Sequence, residues 1–257
     1  MKTDEVKSVS FSKTFTLKDL FWIAPCFIIL MFSLYLIIVK ATLDNSSALI
    51  GIWFFFLIIF LLIIIRQVQQ IENTIWQSFL SSHQFIQKAT PSTPQISKYS
   101  IFQLGIRREI DNYYTNNEAE IFFLTAHTSD NPKMDATTTF KIFTIHLKKL
   151  YPFSQAIQKG RLDILGIKPK IPGNSQLHGT ESIQFNKNYD LNAEKPQDAF
   201  YVFNPKVIGI LSDNSDWFSV EICNDYVAIF TTKEIRTIDD YNTIWQKLEQ
   251  IRDTLNV

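Results

Sequence analysis

Four histidines, two cysteines and scattered carboxylates are the residues of this chain best suited to chemistry, and their spacing prescribes little of it. His83, His127, His146 and His178 stand far apart. None is joined to a Cys, Asp or Glu at a metal-ligand spacing such as H-E-x-x-H, so each reads as an ordinary surface or core histidine and no metal is expected. Cys223 would act as a nucleophile only if its surroundings lowered its pKa, and within the apolar run WFSVEIC an inert buried thiol is expected. Ser182 follows Glu181, but no G-x-S-x-G elbow surrounds it. The seven glycines form neither G-x-G-x-x-G nor G-x-x-x-x-G-K-[ST], which excludes nucleotide binding by those cradles. Asp239-Asp240 reads as negative charge at a helix N-terminus rather than a catalytic pair. No cofactor is expected.

The elements that would carry such residues begin with two uncharged apolar blocks, 20–39 and 48–65. As helices rising about 1.5 Å per residue, each can cross a hydrocarbon core of about 30 Å. Lys2, Lys7, Lys13 and Lys18 precede the first block and Arg66 follows the second, whereas the connector KATLDNSS holds only Lys40. Basic flanks favour the cytoplasmic side, which predicts a helical hairpin with both termini and the main domain inside. Segment 1–19 is then a cytoplasmic N-terminal stretch, and 20–65 the membrane hairpin. A cleaved leader ending near Val39-Lys40-Ala41 is the rival, against which the first block is longer than a signal core of about 7 to 15 residues. Neither block contains Asp, Glu, Lys, Arg or His, so anchoring rather than ion transport is expected of the hairpin. Cys26 sits inside the first block, and two unpaired cysteines suit a reducing compartment.

The chain has 25 basic and 25 acidic residues, of which five (Lys2, Lys7, Lys13, Lys18, Lys40) and four (Asp4, Glu5, Asp19, Asp44) precede residue 66, leaving 20 and 21 beyond it. So nearly neutral a domain lacks the positive field that DNA or RNA binding needs. Residues 66–90 carry Val68, Ile71, Ile75 and Phe79 at helical spacing, predicting that the second membrane helix continues as a juxtamembrane helix. Its apolar face could pack on the domain, on a protein partner or on a second copy of the chain. TPSTP then ends the helix, and 91–257 forms a soluble α+β domain.

Within that domain, 120–125 and 138–147 read as an antiparallel pair joined by the loop TSDNPKMD. WFSVEIC and YVAIFT read as a second hairpin turning at Asn224-Asp225. Ile238, Tyr241, Ile244, Trp245, Leu248, Ile251 and Leu255 recur every three or four residues, predicting a C-terminal helix packed on the sheet, with Thr237 and Asp240 as its capping box.

The most distinctive stretch runs Glu181-Ser182-Ile183-Gln184-Phe185-Asn186-Lys187-Asn188-Tyr189, followed by Asp198-Ala199 and Asn204-Pro205. Phe185, Tyr189 and Leu191 are spaced for one face of a strand, and 198–211 for short helical pieces broken before Pro205. With the apolar hairpin, this stretch resembles an uncharacterised bacterial group of membrane-anchored proteins that carry E-S-x-x-F-N-R-x-F-x-V after two N-terminal transmembrane helices. Here Lys187 replaces the Arg, Tyr189 the Phe and Leu191 the Val, and Lys195-Pro196 stands where the group has D-P. The resemblance implies the same architecture and brings no activity with it. Glu181, Ser182, Phe185 and Asn186 are the motif residues to follow, with a fold-stabilising role expected of them. The functional expectation is a non-enzymatic, membrane-anchored interaction or scaffold module whose first partner is the lipid bilayer. The alternatives are a membrane-associated hydrolase or transferase using Glu181, Asn186 or His146, and a lipid or small-molecule sensor.

Overall fold

The computed structural model describes residues 33–36, 47–89, 107–127, 129, 137–159, 175–177, 183–212, 218–232 and 235–256. The chain divides into two compact units, Met1–Ile75 and Trp76–Val257. Of the first predicted membrane block only 33–36 is described, as helix. The connector and the predicted loop TSDNPKMD lie largely outside the described residues.

Helix α1, Ser47–Ser82, is one uninterrupted run of 36 residues shared by both units. Leu, Ile and Phe dominate its first half, and no proline interrupts it, so nothing breaks the backbone ladder. In the first unit Phe54, Phe55, Ile58, Leu61, Leu62, Ile63 and Ile65 all expose their side chains. Among the described residues this is the one helix long and apolar enough to cross a membrane. The helix ends in two nested bonds, from the Phe85 amide to the Leu80 carbonyl (2.9 Å) and from the Gln84 amide to the Ser81 carbonyl (3.3 Å). This closure needs a left-handed residue, and Gln84 supplies it at φ 58°.

The second unit is built on a seven-stranded sheet. Its strands are β1 (Ile86–Gln87), β2 (Arg107–Thr115), β3 (Ala119–His127), β4 (Thr137–Gln158), β5 (Ser175–Leu177), β6 (Tyr189–Ala193) and β7 (Ser219–Thr231). All pairings are antiparallel, and the order is β1-β2-β3-β4-β6-β5 with β7 on the other flank of β4. The organising element is β4, whose 22 residues pair with β3 in the first half, with β6 in the second, and with β7 along both. Short helices α2 (Ile183–Asn188), α3 (Pro196–Val202) and α4 (Pro205–Ser212) surround β6, and α5 (Ile238–Leu255) closes the chain.

Two sequence expectations give way here. The antiparallel pair of β3 and β4 forms, but β4 runs eleven residues past Leu147. WFSVEIC and YVAIFT do not form a hairpin; they are one strand, β7. Asn224 does take a positive φ, 52°, as a turn residue would, yet it faces Tyr151 of β4 and bends the strand without reversing it. The long partner β4 lies along both halves, so straight pairing supplies more ladder bonds than a turn at Asn224 would.

The sheet buries both faces. On one side Ile121, Phe143, Ile145, Val227 and Ile229 meet α5 and the last turns of α1. An aromatic cluster fills this side, with Trp76 5.1 Å from Tyr241 and 5.3 Å from Tyr114, Phe79 5.2 Å from Tyr241, and Phe85 5.5 Å from Trp245. Helix α5 starts with a full capping box: the Asp240 amide donates to the Thr237 hydroxyl (3.1 Å), and Asp240 accepts from the Thr237 amide (3.1 Å). On the other side Phe122, Leu124, Phe140, Ile142, Tyr226, Ala228 and Phe230 form a core that also takes in Ile157, from the far half of β4.

Candidate functional site

The motif residues Phe185 and Asn186 sit on α2, a single helical turn leading into β6, while Glu181 and Ser182 lie outside the described residues. The strand expected through Phe185 is therefore corrected: only Tyr189 and Leu191 are on β6, and Phe185 reaches Tyr189 as a helical neighbour. Four positions apart, the two rings stack at 5.1 Å and 18°, both buried. The Tyr189 hydroxyl donates to the Phe218 carbonyl (3.1 Å), tying the motif to the start of β7. Lys159 grips the same turn, donating from Nζ to the Asn186 carbonyl (2.6 Å) and pairing with Asp190 (3.5 Å). After it α3 opens with Pro196 in its first turn, and Asn204 caps α4 by accepting from the amides of Lys206 (3.0 Å) and Val207 (3.1 Å). Of the motif residues described, Phe185 and Tyr189 are buried in a stack, whereas Ile183 is exposed.

A second concentration of polar residues lies where the sequence offered no hint. Asn192 of β6, Gln155 of β4 and Glu221 of β7 are directly opposite one another across three strands, and Gln176 of β5 occupies the next register position. Asn192, Gln155 and Glu221 are all buried, the last completely. Both carboxylate oxygens of Glu221 accept hydrogen bonds, Oε2 from Gln155 Nε2 (2.8 Å) and Oε1 from the Tyr226 hydroxyl (2.6 Å). A buried acid held between two side-chain donors is fixed in place and fixes its neighbours. The register that creates this row depends on an irregularity in β4. Between the pairs His146↔Tyr226 and Ser154↔Ile222, eight steps along β4 match four along β7, so four residues of β4 are extra.

Cys223 lies two positions from Glu221. Burial, reinforced by the charge of Glu221, pushes its thiol up from 9.0 to about 11 despite a bond with Tyr226. At neutral pH the group is a thiol, opposite to what an activated nucleophile requires. Burial raises Tyr113 from 10.0 to about 12, helped by the charge of Glu120 and a hydrogen bond to it.

The histidines occupy separate settings. The His83 ring packs 5.1 Å from Trp245, His127 is buried with Glu109 at 3.8 Å, and half-exposed His146 faces Asp225 at 3.6 Å. His178 lies outside the described residues. Among the described residues no three His, Cys, Asp or Glu gather as a metal site would. His146 is attached to the first half of β4 and Asn186 lies against Lys159, just past the end of the second, with different partners at each.

No family model matches the chain, and no curated protein matches it. Among solved structures, the crystal structure of the mycobacterial trehalose monomycolate transport factor A is similar over 70% of this chain and 91% of that one, with a TM-score of 0.45 and 10% sequence identity. At that distance the likeness assigns neither a family nor a function.

Proposed function

We propose that the chain is an integral membrane protein, anchored by a helical hairpin of 20–39 and 48–65, whose α+β domain serves as a non-enzymatic interaction module on the cytoplasmic side. The observation that carries this reading is the first half of α1, where Phe54, Phe55, Ile58, Leu61, Leu62, Ile63 and Ile65 stand exposed in a stretch without one charged residue. In water such a surface would be a severe liability; in hydrocarbon it is the expected one. The silenced Cys223 thiol and the engaged carboxylate of Glu221 favour interaction over catalysis. Val68 and Ile71, exposed on α1, suit a protein partner or a second copy of the chain. The reading includes kinship with the bacterial membrane-anchored group that shares the E-S-x-x-F-N run.

Two measurements test it. The full chain should stay with membranes through alkaline carbonate extraction, and release into the supernatant would overturn the anchor. An impermeant maleimide added outside should label Asn45→Cys and spare Lys88→Cys; the reverse pattern would place the domain on the other side. Crosslinking in the native membrane should then capture one discrete protein or the chain itself, and capture of bulk membrane proteins alone would sink the interaction role.

A further inference from the structure

Within the apolar half of α1, Leu57, Phe60 and Ile64 are half-buried, whereas Ile58, Leu61, Leu62, Ile63 and Ile65 around them are exposed. Steps of three and four residues place the half-buried positions on one face of the helix, and the same steps carry that face on through Val68 and Ile71 to Ile75. Ile75 is half-buried again, but Val68 is 42% and Ile71 36% exposed. Beside Ile71 stands Glu72, the sole acid of α1, exposed and without an ion pair among the described residues. An apolar face partly covered on both sides of an open stretch, with a charge at its rim, has the outline of a docking site for one further segment.

We propose that the occupant is the chain's own segment 13–19, with Leu17 against Val68 and Lys13 against Glu72. The hairpin brings it there: blocks 20–39 and 48–65 run antiparallel, so Leu20 and Ile65 lie at one face of the membrane and the chain beyond each emerges on the same side. Leu17 stands three residues outside its block and Val68 three outside the other, about 4.5 Å of helix in each case. Lys13 and Glu72 each stand seven residues outside, about 10 Å. With the first block's helix continued past Leu20, Lys13 and Leu17 are four positions apart and share one face. Where both sides carry charge at one level the signs are opposite, Lys13 with Glu72 and Asp19 with Arg66, so no like charges meet. Belonging to the same chain gives the segment an effective concentration that a separate protein or a second copy lacks. The inference rests on the hairpin reading and names what meets Val68 and Ile71; any other partner of that stripe has to displace it.

The test uses the full chain in its native membrane, with Cys26→Ala and Cys223→Ala as background and a protease site inserted in the connector after Asn45. With Leu17→Cys and Val68→Cys, copper phenanthroline should join the two positions within one chain, so that the cleaved fragments stay together without reductant and separate with it. Leu17→Cys with Asn73→Cys, on the far side of the helix, should not be joined. Glu72→Lys should lower the joined fraction on the order of threefold, the scale of an exposed ion pair, and Lys13→Glu in the same chain should restore it. Fragments that separate without reductant, joining of two copies or to another protein instead, or a joined fraction indifferent to Glu72→Lys would each overturn the proposal. Impermeant maleimide at Asn45→Cys reports separately on the hairpin: with the connector outside and no joining, the contact alone fails, whereas a connector on the same side as Lys88 sinks both readings.

Discussion

The aromatic cluster beneath α5 and the polar row at Glu221 are buried to a similar depth in the same sheet, and they hold it by opposite means. Trp76, Phe79, Tyr114, Tyr241 and Trp245 pack through large rings at varied angles, so the contribution of the cluster scales with the surface it hides. Asn192, Gln155 and Glu221 fix one register, because a slip by one residue would turn every member of the row to the opposite face. Packing thus supplies most of the stability, and the polar row supplies uniqueness.

The largest effect should come from Phe79→Ala, which empties the middle of the cluster and should cost about 3–5 kcal/mol in a urea titration of the full chain in detergent. A loss below about 1 kcal/mol would break the comparison, because it would mean the cluster collapses onto the gap. Glu221→Leu should cost less, about 2–3 kcal/mol, by removing the acceptor that Gln155 and Tyr226 share. Adding Tyr226→Phe should restore part of that loss, and strict additivity of the two changes would show that the hydroxyl and the carboxylate do not act as a unit. The smallest effect concerns pH. Cys223 and Tyr113 have folded values above those of an unfolded chain, so their contribution is complete below about pH 9 and is lost as pH rises through about 11 and about 12. The urea midpoint should therefore fall between pH 9 and 12, and Cys223→Ala should flatten the earlier part of that fall. A midpoint unchanged across that range would mean that neither group is shielded.

These two regions also differ in how far the sequence discloses them. The face of α5 is written in a repeat of three and four, and its capping box in Thr237 and Asp240, because a helix and its cap are local. Glu221, Gln155 and Asn192 look like solvent-facing positions of three strands until register sets them opposite one another. That register follows from two irregularities of β4, three extra residues before Tyr151 and one after it, a feature decided by long-range pairing. Lys148-Lys149 reads locally as the end of a strand, and Asn224-Asp225 as a turn; both are places where a long strand bends instead. On α1, Phe79 of the anticipated apolar face is buried whereas Val68 and Ile71 are exposed, and Trp76 and Leu80 join the core from positions that the repeat did not single out. Of the motif, the pieces from Pro196 to Ser212 follow from proline and asparagine capping. The turn at Phe185 required the stack on Tyr189 to declare itself.

The bend at Asn224 has a bearing on coexistence with other copies. Among the described residues β7 is paired on one side only, and a straight open strand of 13 residues would be a template on which a neighbouring chain could add its own strand. With Asn224 at φ 52° and exposed Asp225 beside it, that border is divided into two short stretches that no single straight strand can follow. For copies of the chain that meet edge to edge, such an interruption separates deliberate association from runaway β-pairing.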